Sequence, residues 1–523
     1  MKMPIVTLLA LTLATPALAD PPADFDARVE AVRKQAGVPG LAIAIVENGK
    51  VVLAKGYGVR RLGQAAKVDA DTIFMTGSTG KAITTAALAT LVDAGKLGWE
   101  DKVTDRLPGF QMYDPWVTRE MTVRDLLVHR SGLGLGAGDL MIVPRGSLSR
   151  AEVVRRLRFI KPATSFRSAY AYDNVLYIVA GQLIEAVSGQ TYEDYVREHI
   201  FRPAGMRTAT SDAPHRLNTA NRAQPHARIG AGVRGLGEQQ VIDERDELSP
   251  ASTPAGLLAL SANDLARWLQ IQLGHGAIPG ARRLFSEAQS AEMWKPETIQ
   301  PNPPLPPELA AAQPNSIAYA LGWDVRDYRG ARVVWHAGGV FGYTTIVCLL
   351  PDRNVGFAIT VNAEDSIARS GLMYELLDHY LAAPAQDWPS RYSAYVQRRL
   401  NAAAQTVQQG AATPVKAGPA APLASYAGTY EDAWYGKVVV GRDARGLTVD
   451  FTNTPRMTGR LEHYQYDTFV ARFTDKGIEP AYVTFALDAD GTVARATLKP
   501  VSPTADFSFD YQDLLLLPTA AKQ

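Results

Sequence analysis

A single cysteine, Cys348, occurs in 523 residues, and one cysteine forms no intramolecular disulfide. Stability must therefore come from packing, and Cys348, set in an apolar run, reads as a small core residue. Net charge is equally scarce. Lys and Arg number 54 against 53 Asp and Glu, leaving +1, so the balance gives no electrostatic reason to expect nucleic acid or an anionic membrane as a partner. The eight histidines show no ligand spacing that suggests zinc. The apolar run at residues 5–14 is too short to span a bilayer.

Residues 1–19 carry the marks of a secretory leader: Lys2, a short apolar stretch, and Ala17-Leu18-Ala19 before Asp20. No cysteine follows the cleavage site, which argues against a lipoprotein. The expectation is an exported, periplasmic protein with no membrane span after leader removal. Hydrophobic residues at 46% and charged residues at 20% suit a soluble chain long enough for two or three domains.

Phe25–Ala36 reads as a short amphipathic helix stopped by Gly37, and residues 41–46 and 50–55 as strands joined at Asn48-Gly49. Capping-box spacing recurs at Thr122/Asp125, Ser149/Glu152, Thr191/Asp194 and Ser261/Asp264. Apolar runs at 333–335, 345–350 and 355–361 read as neighbouring strands. Strands at both ends with helices between imply an α+β fold in which one sheet joins its first and last strands beside a helical layer. Pro- and Gly-rich connections near 131–147, 225–257 and 296–316 are candidate walls of a cleft. The expected division is 1–19 leader, 20–383 main domain, 384–422 helical and Pro/Ala-rich linker, and 423–523 a small antiparallel barrel or sandwich.

The chemistry centres on Thr76-Gly77-Ser78-Thr79-Gly80-Lys81. Ser78 and Lys81 are three apart, one helical turn, on one face. Ser78 would sit at a helix N-terminus, where free N–H groups favour a developing anion. The same field and burial disfavour an ammonium, so Lys81 is expected to be partly neutral and able to take the serine proton. A phosphate loop fails on glycine spacing and on Ala82 after the lysine. A Gly-x-Ser-x-Gly elbow fails because residue 76 is threonine.

Ser-x-x-Lys, Tyr172-Asp173-Asn174 and His336-Ala337-Gly338-Gly339 each occur once, in that order. With 39–42 (Pro-Gly-Leu-Ala), 126–133 and Ala255-Gly256-Leu257, residues 25–382 resemble the serine β-lactamase and penicillin-binding-protein superfamily, in its class C-related branch of esterases and D-amino-acid peptidases. The tail, with Tyr426-Ala427-Gly428-Thr429-Tyr430, resembles the lipocalin-like barrel appended in that branch. The resemblance implies an acyl-enzyme on Ser78, Lys81 and Tyr172 sharing the proton work, and Asn174 bonded to Lys81 or to substrate while also standing at a helix N-cap. It places the oxyanion hole at the N–H groups of Ser78 and Gly339, beside Gly338 and His336. No metal or cofactor is implied, and the partner is a small-molecule or short-peptide substrate.

The departures matter. Where β-lactamases carry Lys-Thr-Gly or Lys-Ser-Gly, His336-Ala337-Gly338 offers an imidazole and no hydroxyl, which weakens the hold on a penicillin carboxylate. Protonation of His336 is expected to restore part of that hold. Asp173 stands where serine is usual. His129 reads as a structural histidine at a helix end. The leading expectation is an ester or D-amino-acid-type amide hydrolase whose barrel borders the cleft without supplying catalytic residues. The alternatives are a class C-type β-lactamase and a slowly acylating receptor.

Overall fold

A computed structural model describes residues 21–229, 232–243, 248–412 and 417–519; the expected leader lies outside them. Helix α1 (Phe25–Ala36) buries Phe25, Val29, Val32 and Ala36, one stripe of a 3.6-residue period. It ends on Gly37 at φ 67°, a left-handed cap. Strands β1 (Gly40–Glu47) and β2 (Lys50–Gly58) pair antiparallel with Glu47 opposite Lys50. Asn48 and Gly49 both take positive φ, 49° and 75°, as a two-residue type I′ hairpin requires.

β1 is buried along its whole length because both its faces are covered. Ala42, Ala44 and Val46 join one core and Leu41, Ile43 and Ile45 the other, the alternation a strand imposes. The first core contains helix α2 (Lys81–Asp93), helix α3 (Val175–Ser188) and helix α4 (Ala262–Leu273). α4 begins with the complete Ser261/Asp264 capping box.

The sheet continues through β3 (Thr298–Ile299), β4 (Ile317–Tyr319), β5 (Asp324–Tyr328), β6 (Ala331–Val340), β7 (Tyr343–Leu350) and β8 (Val355–Val361). Its order is β2-β1-β8-β7-β6-β5-β4-β3. The first long strand therefore lies against the last, Leu41 opposite Val361 and Glu47 opposite Val355. Helices α5 (Ser366–Tyr380) and α6 (Trp388–Ala412) close the second face with α1. Asp378 anchors this layer, accepting from Tyr328 Oη at 2.6 Å and from Trp388 Nε1 at 2.7 Å.

One local reading changes. Thr122 and Asp125 make both capping contacts, yet residues 123–129 form successive turns and His129 sits at φ 55°. A cap starts a helix but does not propagate one. β6 carries the His336-to-Gly339 motif at its C-terminal end, just before the turn into β7.

The C-terminal segment is a closed barrel of eight antiparallel strands: β9 (Gly428–Asp432), β10 (Gly436–Asp443), β11 (Gly446–Phe451), β12 (Thr458–Gln465), β13 (Thr468–Phe473), β14 (Ala481–Leu487), β15 (Val493–Pro500) and β16 (Leu515–Pro518). Closure removes the exposed edges a small sheet would otherwise present. The barrel is tied to the larger unit by Arg156 Nη1 on Trp434 O at 3.0 Å and Ser147 N on Asn453 O at 2.8 Å. Arg234 Nη1 adds a bond to Gly477 O at 2.7 Å.

Candidate active site

Two backbone segments meet without side chains between them. Ser78 lies in a tight turn, Gly77–Gly80, directly before α2. A Cβ on Gly338 of β6 would stand 2.0 Å from Thr76 O, and one on Gly77 2.6 Å from Gly339 N. Only glycine permits this approach, which sets the N–H groups of Ser78 and Gly339 on the wall of one cleft of about 620 Å³. α2 is buried nearly all round. Its hydroxyls are met internally, Thr85 Oγ1 donating to Lys81 O at 3.1 Å.

Lys81 is completely buried. Its Nζ lies 3.0 Å from Ser78 Oγ, 2.7 Å from Asn174 Oδ1 and 2.9 Å from Ala255 O. Burial lowers its pKa to about 7, against the opposing pull of Asp139 and Asp173. A fall of that size disfavours the ammonium by roughly 5 kcal/mol relative to the free side chain. A neutral amine has two N–H bonds and one lone pair. Two of the three partners are carbonyl oxygens that can only accept, so the lone pair is left for the serine O–H.

Asn174 stands at the N-cap of α3, but its side chain does not cap the helix. Its oxygen meets Lys81 and its Nδ2 donates to Asp139 Oδ2 at 2.7 Å. Burial pushes the Asp139 carboxyl up to about 7, opposed by bonds from Ser508 and Asn174. The Tyr172 hydroxyl is buried and has no hydrogen-bond partner. Burial raises that phenol well above its ordinary value, with the Ser78 hydroxyl acting in the other direction. Tyr172 is thus a protonated donor at rest, while Lys81 is the basic partner. The Tyr172 and Tyr177 rings lie 4.7 and 5.2 Å from Lys81 Nζ, placed to stabilise an ammonium once it forms.

His129 packs its ring 4.2 Å from that of Tyr172. Asp173 N donates to His129 Nδ1 at 3.2 Å, and Asp173 Oδ2 accepts from Ser131 Oγ at 3.3 Å. Burial holds the His129 pKa down. Asp173 therefore faces the interior and braces the turn that carries Tyr172.

His336 corrects an expectation. It is 3% exposed. Its Nδ1 donates to Ala337 O at 2.6 Å, and its Nε2 accepts from Tyr319 Oη at 2.7 Å. Burial and the Lys81 charge lower its pKa to about 3. A strand side chain alternates faces, and position 336 falls on the interior face while Gly339 reaches the cleft. The imidazole is a structural pin, and it supplies no positive charge to a substrate near neutral pH.

A family model for beta-lactamase matches residues 25–382. The chain belongs to the beta-lactamase family. It is a serine hydrolase of that family, and residues 412–517 match a domain of unknown function, DUF3471, which here forms the barrel. Unguisins hydrolase ungD of Aspergillus violaceofuscus is 29% identical over 90% of this chain and 86% of its own length. Its namesake ungD' of Aspergillus campestris is 30% identical over 90% and 88%. Penicillin-binding protein 4 of Amycolatopsis lactamdurans is 27% identical over 65% and 85%.

Among solved structures, the octameric penicillin-binding protein homologue from Pyrococcus abyssi superposes at TM-score 0.55 and 20% identity, over 94% of this chain and 99% of that one. SurE gives 0.54 at 22%, over 94% and 98%. These likenesses establish the fold of the beta-lactamase-family unit and barrel together.

Sequence reasoning missed Asp139, Ala255 O and Ser508. Asp139 lies in the glycine-rich connection expected to wall the cleft, but no spacing ties it to Asn174. Ala255 acts through its carbonyl, which has no side-chain signature. Thr504, Asp506 and Ser508 of the barrel line the cleft, in accord with a bordering barrel, and Ser508 goes further by bonding Asp139. Among the described residues no group of three His, Cys, Asp or Glu is arranged to hold a metal, and no helix is long and apolar enough to cross a membrane.

Proposed function

We propose that this protein is an exported serine hydrolase acting on an ester or a D-amino-acid-type amide through a Ser78 acyl-enzyme. The observation that carries the reading is the partner set of Lys81: two obligate acceptors and one serine hydroxyl. Ser78 Oγ attacks the carbonyl carbon and its proton passes to Lys81. The N–H groups of Ser78 and Gly339 receive the oxyanion. As the bond to the leaving group breaks, that group takes a proton from the Tyr172 hydroxyl, which Lys81 makes good. Water then repeats the sequence and releases the acid and free Ser78.

The absence of a cationic side chain at position 336 supports uncharged esters and amides over penicillins. The relatives named unguisins hydrolases, aligned over most of the chain, make unguisins substrates to include. The leader-like residues 1–19 support export. The test is a steady-state screen of nitrophenyl butyrate, D-amino acid amides, unguisins and nitrocefin on one preparation. Turnover of an ester or amide above nitrocefin is expected. Dominant nitrocefin hydrolysis would make the protein a class C-type β-lactamase. A single stoichiometric burst with every substrate would make it a receptor.

A further inference from the structure

Asn174 can offer its oxygen to Lys81 because its nitrogen is held by Asp139 Oδ2. Asp139 is itself fully buried, and its other oxygen, Oδ1, has no hydrogen-bond partner. What fixes this carboxyl comes from the barrel. Ser508 Oγ donates to the same Oδ2 at 2.8 Å. Asp510 accepts from Gly138 N at 2.6 Å and from Leu140 N at 3.0 Å, the residues on either side of Asp139. Phe507, next to Ser508, sets its ring edge-on to Tyr172, with centroids 5.8 Å apart. Three residues of one short barrel segment thus grip the Asp139 side chain, the backbone flanking it and the Tyr172 ring.

We propose that Ser508 and Asp510 are positioning residues for Lys81: by fixing Asp139 they keep Asn174 Oδ1 turned to the lysine, and so keep the lysine lone pair on Ser78. The inference rests on Lys81 being the base. An amide side chain is nearly symmetric in shape, so a flipped Asn174 fits the same space. Flipped, it would aim N–H at Lys81 and draw the lone pair away from Ser78. Asp139 blocks the flip because its Oδ2 only accepts, whether the group is a carboxylate or an acid protonated on Oδ1. That block holds only while the oxygen stays in place, and Ser508 is its second tether beside Asn174. The barrel is then part of the catalytic apparatus and not merely a rim.

The measurement uses the full chain as Ser508→Ala, Ser508→Thr and Asp510→Asn. It reads kcat and KM for nitrophenyl butyrate, and the pH profile of Ser78 labelling by a fluorophosphonate. Ser508→Ala is expected to lower kcat about tenfold, the scale of one lost hydrogen bond, with KM within about twofold. Its labelling midpoint should move to lower pH, because an Asp139 deprived of a donor carries less negative charge beside Lys81. Ser508→Thr keeps the hydroxyl and should restore most of kcat and the midpoint. If Ser508→Ala does not fold, Asp510→Asn is read in its place for kcat and KM, with the same tenfold loss of kcat and a KM within about twofold expected. Wild-type kcat and an unmoved midpoint in Ser508→Ala would overturn the inference. So would equal losses in the Ala and Thr variants with a lowered melting temperature, which is the mark of lost packing alone. Full activity in Lys81→Ala would overturn the base assignment instead. An inactive Lys81→Ala beside an unaffected Ser508→Ala would overturn only the role given to the barrel.

Discussion

Lys81 Nζ stands 3.0 Å from Ser78 Oγ, and that serine is the one partner of the lysine, among the three bonded to it, that has a proton to give. The lysine is completely buried, so a neutral amine is its favoured resting form above the lowered pKa of about 7. From this relationship the pH behaviour, the mutational pattern and part of the stability of the protein follow.

The acid limb of acylation should report Lys81. Below about pH 7 the ammonium dominates and the base is lost, so kcat/KM should fall about tenfold per pH unit. Above it the limb should flatten. Stopped-flow acylation between pH 5 and 9 checks this.

Lys81→Arg should be as inactive as Lys81→Ala, because a guanidinium stays protonated and cannot accept the serine proton. Each should lower turnover by about a hundredfold or more, as should Tyr172→Phe. Combined with Lys81→Ala, Tyr172→Phe should cost far less than the product of the two effects if they serve one proton path. Steady-state kinetics on the three single variants and the double variant settle the pattern.

Lys81→Met should stabilise the fold. The native lysine, with its pKa near 7, binds fewer protons than the unfolded chain between about pH 7 and 10.5. Stability therefore rises with pH across that window, and the lysine is costliest at and below its lower end. Met removes that cost, less what Asn174 Oδ1 and Ala255 O lose with their donor. Denaturant midpoints should show the larger gain at pH 7 and a smaller one at pH 10.

His336→Lys should destabilise by about 3 kcal/mol or more, since it places an ammonium in a site 3% exposed and leaves the Tyr319 hydroxyl without its acceptor. The ratio of nitrocefin to butyrate hydrolysis in the wild type should stay flat from pH 5.5 to 8. An imidazole whose pKa is about 3 does not titrate in that range. Urea melts of the variant and paired rates on the wild type are the checks.

Gly338→Ala should leave binding nearly intact and lower kcat by about a hundredfold or more. Its methyl would meet Thr76 O at 2.0 Å, and the strand could make room only by withdrawing Gly339 N from the oxyanion position. A kcat and KM comparison on nitrophenyl butyrate reads it.

The parts of this protein legible in its sequence are those written in side-chain periodicity and spacing. The Asn48-Gly49 hairpin, the stop at Gly37 and the Ser261/Asp264 box are local devices, and each forms as read. The meeting of β1 with β8 followed from apolar runs at the two ends of the main domain. In the barrel, short apolar runs in the sequence mark β9, β10, β11, β13, β14 and β15, but β12 and β16 leave no such mark. β12 carries Arg460, Glu462, His463 and Gln465 around a single buried Leu461, so its apolar alternation vanishes. β16 is three leucines and a proline, with no alternation to see.

At the site, spacing brought Ser78 and Lys81 to one place because one helical turn does so. It could not reveal which way His336 points, since that depends on the register of β6 against β5 and β7. Nor could it find Ser508, which lies 369 positions from Asp139 and meets it only when the barrel docks.

The most direct measurement is intact-mass and peptide mapping of the protein after reaction with a fluorophosphonate across pH 5 to 9, for wild type and Ser78→Ala. One adduct per chain is expected, on the peptide holding Ser78, formed with a midpoint near pH 7 and absent from the variant. An adduct on another serine, labelling that survives Ser78→Ala, or a rate with no inflection in that range would contradict a nucleophile at Ser78 activated by a neutral Lys81.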